Sequence, residues 1–159
     1  MALRVGIGYD SHRLAEGESL VIGGVEIEHE RGLAGYSDAD VLTHAVIDAL
    51  LGSCGLGDLG ELFPPGEEEW RDASSIDLLR VVLGRLPGSV ANVDVTVICE
   101  EPKLAPHKPR IASRLAEVLS APVSIKASTN EGMGAIGRGE GIACMAVALV
   151  ETGDEVRPA

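Results

Sequence analysis

Alternating and β-branched apolar positions predict most of the strands in this chain. Four segments have this pattern and are predicted to be strands: 3–9, 91–99, 122–128 and 142–151. Leu20 to Glu28 is rich in Val and Ile on both sides of Gly23-Gly24, which predicts a short hairpin. The strands are therefore spread along the whole sequence rather than grouped at one end.

Apolar residues spaced three and four apart predict three helices between these strands. The first should follow Ser37-Asp-Ala-Asp40, where Ser37 and Asp40 have the spacing of a capping box, and end near Gly52 or Gly55. The other two helices are predicted from about Ser74 or Ser75 to Arg85 and from about Pro106 to Leu119.

Glycine and proline mark the remaining segments as loops. Residues 56–72 and the glycine-rich 132–141 are predicted to be irregular, and residues 153–159 to form a frayed tail. No internal repeat or linker divides the sequence. The elements therefore predict one domain over residues 1–159, an α+β or α/β sandwich.

Composition and charge limit the possible locations and partners. The longest apolar stretches, such as 142–150, fall well short of the ~20 residues of a membrane helix, and the sequence starts without a targeting segment. We therefore expect a soluble, cytoplasmic protein without a membrane partner. The net charge of −12 repels phosphate backbones, so nucleic-acid binding is not expected. Three cysteines without a CxxC motif predict neither a disulfide framework nor a thiolate zinc site.

Asp10 and His12 are the first candidates for chemistry. They lie at the end of the first predicted strand, 3–9, and alternate side chains of an extended segment face the same way. A carboxylate and an imidazole held together suit a divalent ion such as zinc. Most isolated D-x-H triplets, however, are explained by a surface pair or a cap.

Asp40, His44 and Asp48 form a second candidate on the first predicted helix. Their spacing of four places them in one row on the helix surface. The row is either a solvated stripe or a metal-binding histidine whose ring is oriented by a neighbouring carboxylate. Asp10, His12 and His44 together would supply three ligands and leave a fourth position open, as in catalytic zinc sites.

The segment from Lys126 to Gly141 is a third candidate. Its glycines free backbone amides, and Ser128 and Thr129 add hydroxyls that could cradle a phosphate. The GxxxxGK[ST] order of a P-loop is absent. A flexible turn between two strands is the alternative interpretation.

A series of motifs resembles one enzyme family over about residues 3–150. The motifs are Gly6-x-Gly8-Tyr-Asp10-x-His12, Ile22-Gly-Gly-Val25, Ser37-Asp-Ala-Asp-Val41, His44-Ala-x-x-Asp48-Ala-Leu-Leu-Gly52, Leu56-Gly-Asp-Leu-Gly60, Phe63-Pro64, Asn92-Val-Asp-Val-Thr96, Pro102-Lys103 and Gly137-Arg-Gly-Glu-Gly-Ile142. Their order resembles the 2-C-methyl-D-erythritol 2,4-cyclodiphosphate synthase family of isoprenoid biosynthesis. The resemblance implies an α+β fold in two layers, with a mixed sheet and helices on one face. It also implies a homotrimer whose sheets line a central channel and whose active sites lie between subunits.

The same resemblance implies an activity and its metals. The substrate would be 4-diphosphocytidyl-2-C-methyl-D-erythritol 2-phosphate, cyclised to the 2,4-cyclodiphosphate with release of CMP, which makes the enzyme a metal-dependent phosphorus–oxygen lyase. Asp10, His12 and His44 would bind zinc, and Glu131 a second divalent ion, Mg²⁺ or Mn²⁺. Asp48 and Asp40 would support the zinc ligands.

Further residues acquire roles by resemblance. Thr129, Ser37 and Glu131 would act in catalysis. The implied substrate contacts are Tyr36, Ser37, Asp58, Gly60, Phe63, Glu101, Pro102, Lys103, Leu104, Ser128, Thr129 and Arg138. Arg138 and Glu140 match the mouth of the channel, where family members can hold an isoprenoid diphosphate.

The chain departs from the family pattern at three places. Tyr36 and Ala39 stand in Tyr-Ser-Asp-Ala-Asp where the family usually has His-Ser-Asp-Gly-Asp, Pro65-Gly66 replaces the usual acid after Phe-Pro, and Ser128 replaces a threonine. The three zinc ligands and Glu131 are intact, so we expect an active enzyme. Two alternatives stay open: a metal-dependent phosphohydrolase and a non-catalytic trimer that binds isoprenoid diphosphates.

Overall fold

The computed structural model describes residues 1–153; of the predicted tail, residues 154–159 lie outside the described part. Its strands are β1 (Ala2–Glu16), β2 (Leu20–Ile22), β3 (Val25–Ile27), β4 (Arg31–Leu33), β5 (Gly88–Ile98), β6 (Val123–Ser128) and β7 (Gly141–Thr152). Its helices are α1 (Val41–Cys54), α2 (Leu59–Leu62), α3 (Ser75–Leu83), α4 (Lys108–Leu119) and α5 (Gly134–Gly137), with a 3-10 turn at Glu68–Trp70.

Five of these strands form one mixed sheet. The order is β4-β1-β7-β5-β6, in which only β5 and β6 pair in parallel, and β2 and β3 form a separate hairpin. The connection from β5 to β6 spans residues 99–122 and contains α4, which gives it the length that a parallel crossover requires. The predicted α+β architecture with a mixed sheet is confirmed.

The helices cover one face of the sheet and leave the other without helices. In β1 and β7 the residues directed towards α1 are mostly buried, because side chains alternate between the faces of a strand. The opposite face exposes a row of large apolar side chains: Leu3, Val5, Ile7, Tyr9, Met145 and Val147. Within the described residues, the fold therefore has two layers with one apolar sheet face uncovered.

Gly6 and Gly8 let β1 lie directly against the backbone of α1. A Cβ atom at Gly6 would collide with the carbonyl oxygen of Ala49, and one at Gly8 with that of Ala45. Only glycine fits such a close approach of two backbones. The strand end that carries Asp10 is thereby brought next to the helix that carries His44.

Several predicted boundaries were wrong. β1 continues to Glu16 rather than ending at residue 9, because its polar second half still pairs with β7 and β4. The predicted loop 56–72 contains α2 and the 3-10 turn, and the glycine-rich segment contains α5. The predicted capping box is also wrong, since the N-cap of α1 is Asp40, which accepts a hydrogen bond from the Thr43 N–H.

Cys54, Cys99 and Cys144 are free and buried, as expected for small apolar residues. Burial raises the pKa of Cys99 to about 11 and that of Cys144 further, so both thiols stay protonated at neutral pH. No helix in residues 1–153 is both long and apolar enough to span a membrane.

We predict that Gly8→Ala destabilises the fold by about 3 kcal/mol or more, because the methyl group would meet backbone atoms that cannot move aside easily. The midpoint of urea unfolding measures this change. Gly52→Ala on α1 is the control: it is exposed, it meets only the Ile7 carbonyl at 3.9 Å, and it should stabilise by up to about 1 kcal/mol. Equal midpoints for the two variants would contradict the close contact at Gly8.

Candidate metal centre and neighbouring clefts

Asp10, His12 and His44 meet between the end of β1 and the first turn of α1. Asp10 Oδ2 lies 2.8 Å from His12 Nε2 and 3.2 Å from His44 Nδ1, and the two ring nitrogens are 3.3 Å apart. The sequence prediction that these three side chains lie together is confirmed by this geometry. In the described residues they form the one cluster of at least three acidic, histidine or cysteine side chains that could hold a metal ion.

The triangle of these atoms fits a tetrahedral zinc ion. With bonds of about 2.0–2.2 Å, such an ion separates its ligand atoms by about 3.3 Å, close to the three distances found here. His12 Nδ1 donates a hydrogen bond to the Ala34 carbonyl at 3.0 Å, which leaves the lone pair of Nε2 directed at the triangle. Two imidazoles and one carboxylate are a donor set that suits zinc.

The electrostatics of the triangle favour an ionised carboxylate. Burial by itself raises the pKa of Asp10, but hydrogen bonds and charge interactions with His12 and His44 outweigh it and lower that pKa overall. Burial lowers the pKa of His12, and the contacts with Asp10 outweigh this and raise it. Asp10 therefore provides a negative charge at neutral pH to balance a cation.

Serine hydroxyls, and not the predicted carboxylates, contact the other nitrogen of His44. His44 Nε2 lies 2.8 Å from Ser75 Oγ and 3.3 Å from Ser37 Oγ. The prediction that Asp40 or Asp48 orients this ring is therefore wrong for the described contacts. The alternative of a solvated stripe is also wrong, because Asp40 is 0% and His44 6% exposed.

Asp40 and Asp48 instead organise the backbone around the site. Both oxygens of Asp40 accept hydrogen bonds, from Thr43 and from the amides of Gly23 and Gly24 in the β2–β3 hairpin. Asp48 Oδ1 accepts from the Leu59 N–H at 2.8 Å and so holds the start of α2. Burial raises the pKa of both carboxyl groups.

A cleft opens beside the triangle. Its lining contains the three candidate ligands and four residues assigned to the substrate by resemblance: Tyr36, Ser37, Gly60 and Phe63. Asp58 lies outside this lining and caps α2 by accepting from the Glu61 N–H. Ala39 in the adjoining turn has φ +53°, which explains the usual glycine at this position.

The hydroxyl of Tyr36 has a partner within the chain. It donates to the Glu67 carbonyl at 2.9 Å, and the Tyr36 carbonyl accepts from the Asp72 N–H. These two hydrogen bonds connect Tyr36 to the 64–72 segment, which contributes Pro65 and Trp70 to the cleft lining. Trp70 forms a T-shaped ring pair with Phe63 there.

A second group of predicted residues lies around the ends of β5 and β6. Two adjoining clefts there are lined by Glu101, Pro102, Lys103, Leu104, Ser128, Thr129 and Arg138 among others. Arg138 forms an ion pair with Glu140 at 2.7 Å. Glu131 lies in the turn after β6 and has a backbone φ of +52°. Its N–H donates a hydrogen bond to Thr129 Oγ1 at 3.3 Å. Glu100, which the sequence analysis missed, fixes this turn by accepting from the Asn130 N–H.

The two groups of site residues are separated across the sheet. Asp10 pairs with Cys144, Cys144 with Val97, and Val97 with Ala127. Three strand spacings of about 4.8 Å place Asp10 about 14 Å from Ala127. Among residues 1–153 of one chain, the cleft at the triangle shares no lining residue with the clefts at Thr129.

We predict that His44→Ala loses most of the bound zinc, because two remaining ligands form a weak, open site. Zinc content per chain, measured by elemental analysis after gel filtration, checks this. His107→Ala is the control, since His107 precedes α4 and is not part of the triangle. Retention of a full zinc complement by His44→Ala would refute the ligand assignment.

Comparisons with known proteins agree with this geometry. A model of the YgbB family matches residues 3–151. The 2-C-methyl-D-erythritol 2,4-cyclodiphosphate synthase of Gloeobacter violaceus is 53% identical over 155 residues, covering 94% of this chain and 95% of that protein.

Two solved structures are similar in fold. The bifunctional IspDF of Campylobacter jejuni superimposes with a TM-score of 0.90 at 36% identity over 98% of this chain, which spans 44% of that longer protein. A 2C-methyl-D-erythritol-2,4-cyclodiphosphate synthase in its CDP-bound form gives 0.85 at 32% identity, covering 93% of this chain and all of that one. The chain therefore belongs to the YgbB family, in which relatives of this similarity are named 2-C-methyl-D-erythritol 2,4-cyclodiphosphate synthases.

Proposed function

We propose that this chain is a phosphorus–oxygen lyase that converts 4-diphosphocytidyl-2-C-methyl-D-erythritol 2-phosphate to 2-C-methyl-D-erythritol 2,4-cyclodiphosphate and releases CMP. The observation that carries the proposal is the Asp10–His12–His44 triangle, intact beside a cleft in a chain 53% identical to a relative of that name. The CDP bound to a solved relative supports a cytidine nucleotide as part of the substrate.

The reaction requires positioning and charge neutralisation more than a strong base. An oxygen of the 2-phosphate attacks the β-phosphorus, a new P–O bond closes the ring, and the bond from the β-phosphorus to the bridging oxygen breaks, so that CMP leaves with that oxygen. The attacking phosphate is already an anion. A chain of net charge −12 must offset the charge of three phosphates locally.

The chain's own residues would divide this work. Asp10, His12 and His44 would hold zinc. Glu131 would hold a second divalent ion, Mg²⁺ or Mn²⁺, as the resemblance implies. Such ions supply Lewis acidity at phosphoryl oxygens. The hydroxyl of Thr129, turned towards the backbone of Glu131, would fix the diphosphate in line with the attacking oxygen.

Other contacts in the proposal follow the two groups of clefts. Ser37, Gly60 and Phe63, with Asp58 nearby, would contact the erythritol and its phosphate. Tyr36 would contact the substrate from the same cleft, either with its ring or with its hydroxyl. In the second case the hydroxyl would leave the Glu67 carbonyl and donate to a substrate phosphate. The backbone around Glu101, Pro102, Lys103 and Leu104 would surround the cytidine. Ser128 would help Thr129 to hold the diphosphate.

A homotrimer would bring the two groups of residues together. The separation of about 14 Å within one chain and the absence of shared lining residues support sites completed by a neighbouring subunit. The uncovered apolar sheet face supports burial at a subunit contact, because large apolar patches on a lone chain are rare. Arg138 would then lie at a central channel, where an isoprenoid diphosphate could bind once its pair with Glu140 opens. The cytoplasmic location stays a prediction from the sequence.

The first prediction from this proposal concerns the products. With zinc and Mg²⁺ present, the cytidine substrate should give a cyclic diphosphate and an equal amount of CMP by phosphorus NMR, without uptake of ¹⁸O from labelled water. Ring closure uses the substrate's own phosphate as nucleophile, so no solvent oxygen enters. Linear phosphates carrying ¹⁸O would instead identify a hydrolase, and zinc-loaded protein without turnover would identify a binding protein.

The second prediction tests whether the site is shared. His44→Ala and Thr129→Ala should each be inactive alone, because each removes one half of every site. In randomly mixed trimers about a quarter of the interfaces pair an intact His44 with an intact Thr129, so refolding the two together should restore about a quarter of wild-type activity.

Each variant refolded alone is the control for this complementation. Hybrid trimers detected by native mass spectrometry that remain inactive would show that each chain builds its own site.

A further inference from the structure

The ring of His44 is fixed from the side that faces away from Asp10 and His12. Its Nδ1 belongs to the triangle, whereas its Nε2 lies 2.8 Å from the Ser75 hydroxyl at the first residue of α3. Ser75 is 0% exposed, so its hydroxyl has no water to bind in place of protein. Thirty-one positions separate the two residues in sequence.

The direction of this hydrogen bond follows from the second partner of Ser75. Its hydroxyl also donates a hydrogen bond to Asp38 Oδ1, since a carboxylate oxygen acts as the acceptor. The single hydroxyl proton of Ser75 is therefore donated to Asp38. The Ser75 oxygen must then accept from His44, which places a proton on Nε2 and leaves the lone pair of Nδ1 free.

Asp38 is itself held firmly. Its Oδ2 accepts from the Ser75 N–H at 2.9 Å and its Oδ1 from the Asp40 N–H at 3.2 Å. Ser74, the residue at the N-cap position of α3, makes no side-chain cap. Asp38 thus caps α3 from outside the helix, where the helix dipole favours a negative charge.

We propose that Ser75 and Asp38 are positioning residues of the metal centre. Together they keep His44 in the tautomer protonated at Nε2 and direct the lone pair of Nδ1 towards Asp10 and His12. This role rests on the metal centre of the proposed function but not on the reaction itself. Removing a hydrogen-bonding partner of a metal-bound histidine typically lowers the metal affinity about 10–100-fold.

The wild-type protein gives the first test. In the zinc-loaded protein labelled with ¹⁵N-histidine, long-range ¹H–¹⁵N spectra should show His44 protonated at Nε2 and coordinated through Nδ1, with a slowly exchanging Nε2 proton. The signals of His44 among the four histidines are identified by their loss in His44→Ala. Coordination through Nε2, or a proton on Nδ1, would overturn the proposal without any variant of Ser75.

Variants give the second test. Ser75→Ala should raise the zinc dissociation constant roughly 10–100-fold in competition with a chromophoric chelator and make the Nε2 proton exchange rapidly. Asp38→Asn should cause a smaller rise, because the Ser75 hydroxyl keeps an acceptor but loses a charged one. Ser74→Ala is the matched control at the same helix end, is exposed, and should bind zinc as the wild type does.

Two results with the variants would overturn the proposal. One is wild-type zinc affinity in Ser75→Ala that is folded by circular dichroism. The other is an equal loss in Ser74→Ala and Ser75→Ala, which would assign the effect to the start of α3 rather than to the bond with His44. The variants can also bind zinc as expected while the wild-type protein forms no cyclic diphosphate. That result would contradict the proposed reaction but not the positioning role of Ser75 and Asp38.

Discussion

The direct contact between the backbones of β1 and α1 is the constraint on which the candidate metal centre depends. Gly6 and Gly8 place no side chain between strand and helix, so the strand runs against the turn that contains Ala45 and Ala49. Asp10 and His12 follow on the same strand face, and His44 precedes Ala45 on the helix. A packed layer of larger side chains between strand and helix would move His44 several ångströms away from β1. The three ligand atoms would then no longer lie about 3 Å from one another.

Buried polar side chains then connect the segments around this contact. Asp40 links the start of α1 to the β2–β3 hairpin, Asp48 links its middle to α2, and Asp38 links the preceding turn to α3. Each of these carboxylates accepts from backbone amides of another segment, so its burial is compensated. The acidic residues of the first helix and its turn thus define where the surrounding loops attach. Within residues 1–153, Asp10 and the two histidines are the side chains that form the candidate metal position.

The sequence predicted the metal triangle because one local periodicity and the chemistry of metal ligands sufficed. The alternation of a strand paired Asp10 with His12, and ligand chemistry added His44 from the helix. The same reasoning failed for Asp40 and Asp48, since helical spacing places residues on one face without showing which atoms their side chains reach. Ser75 was missed because a serine at a helix start usually signals a cap, and only the folded chain brings it to His44. The second half of β1 was missed because its polar residues hide a strand whose evidence is pairing with β7 and β4.

The burial of the three cysteines has a consequence for oxidative conditions. Sites that hold zinc through thiolates release it when peroxide oxidises the sulfur atoms. Here the candidate ligands are oxygen and nitrogen, while Cys54, Cys99 and Cys144 are enclosed in the core and the latter two are kept protonated by their raised pKa values. A metal centre of this kind is suited to retain its ion during oxidative stress that would empty a cysteine-based site.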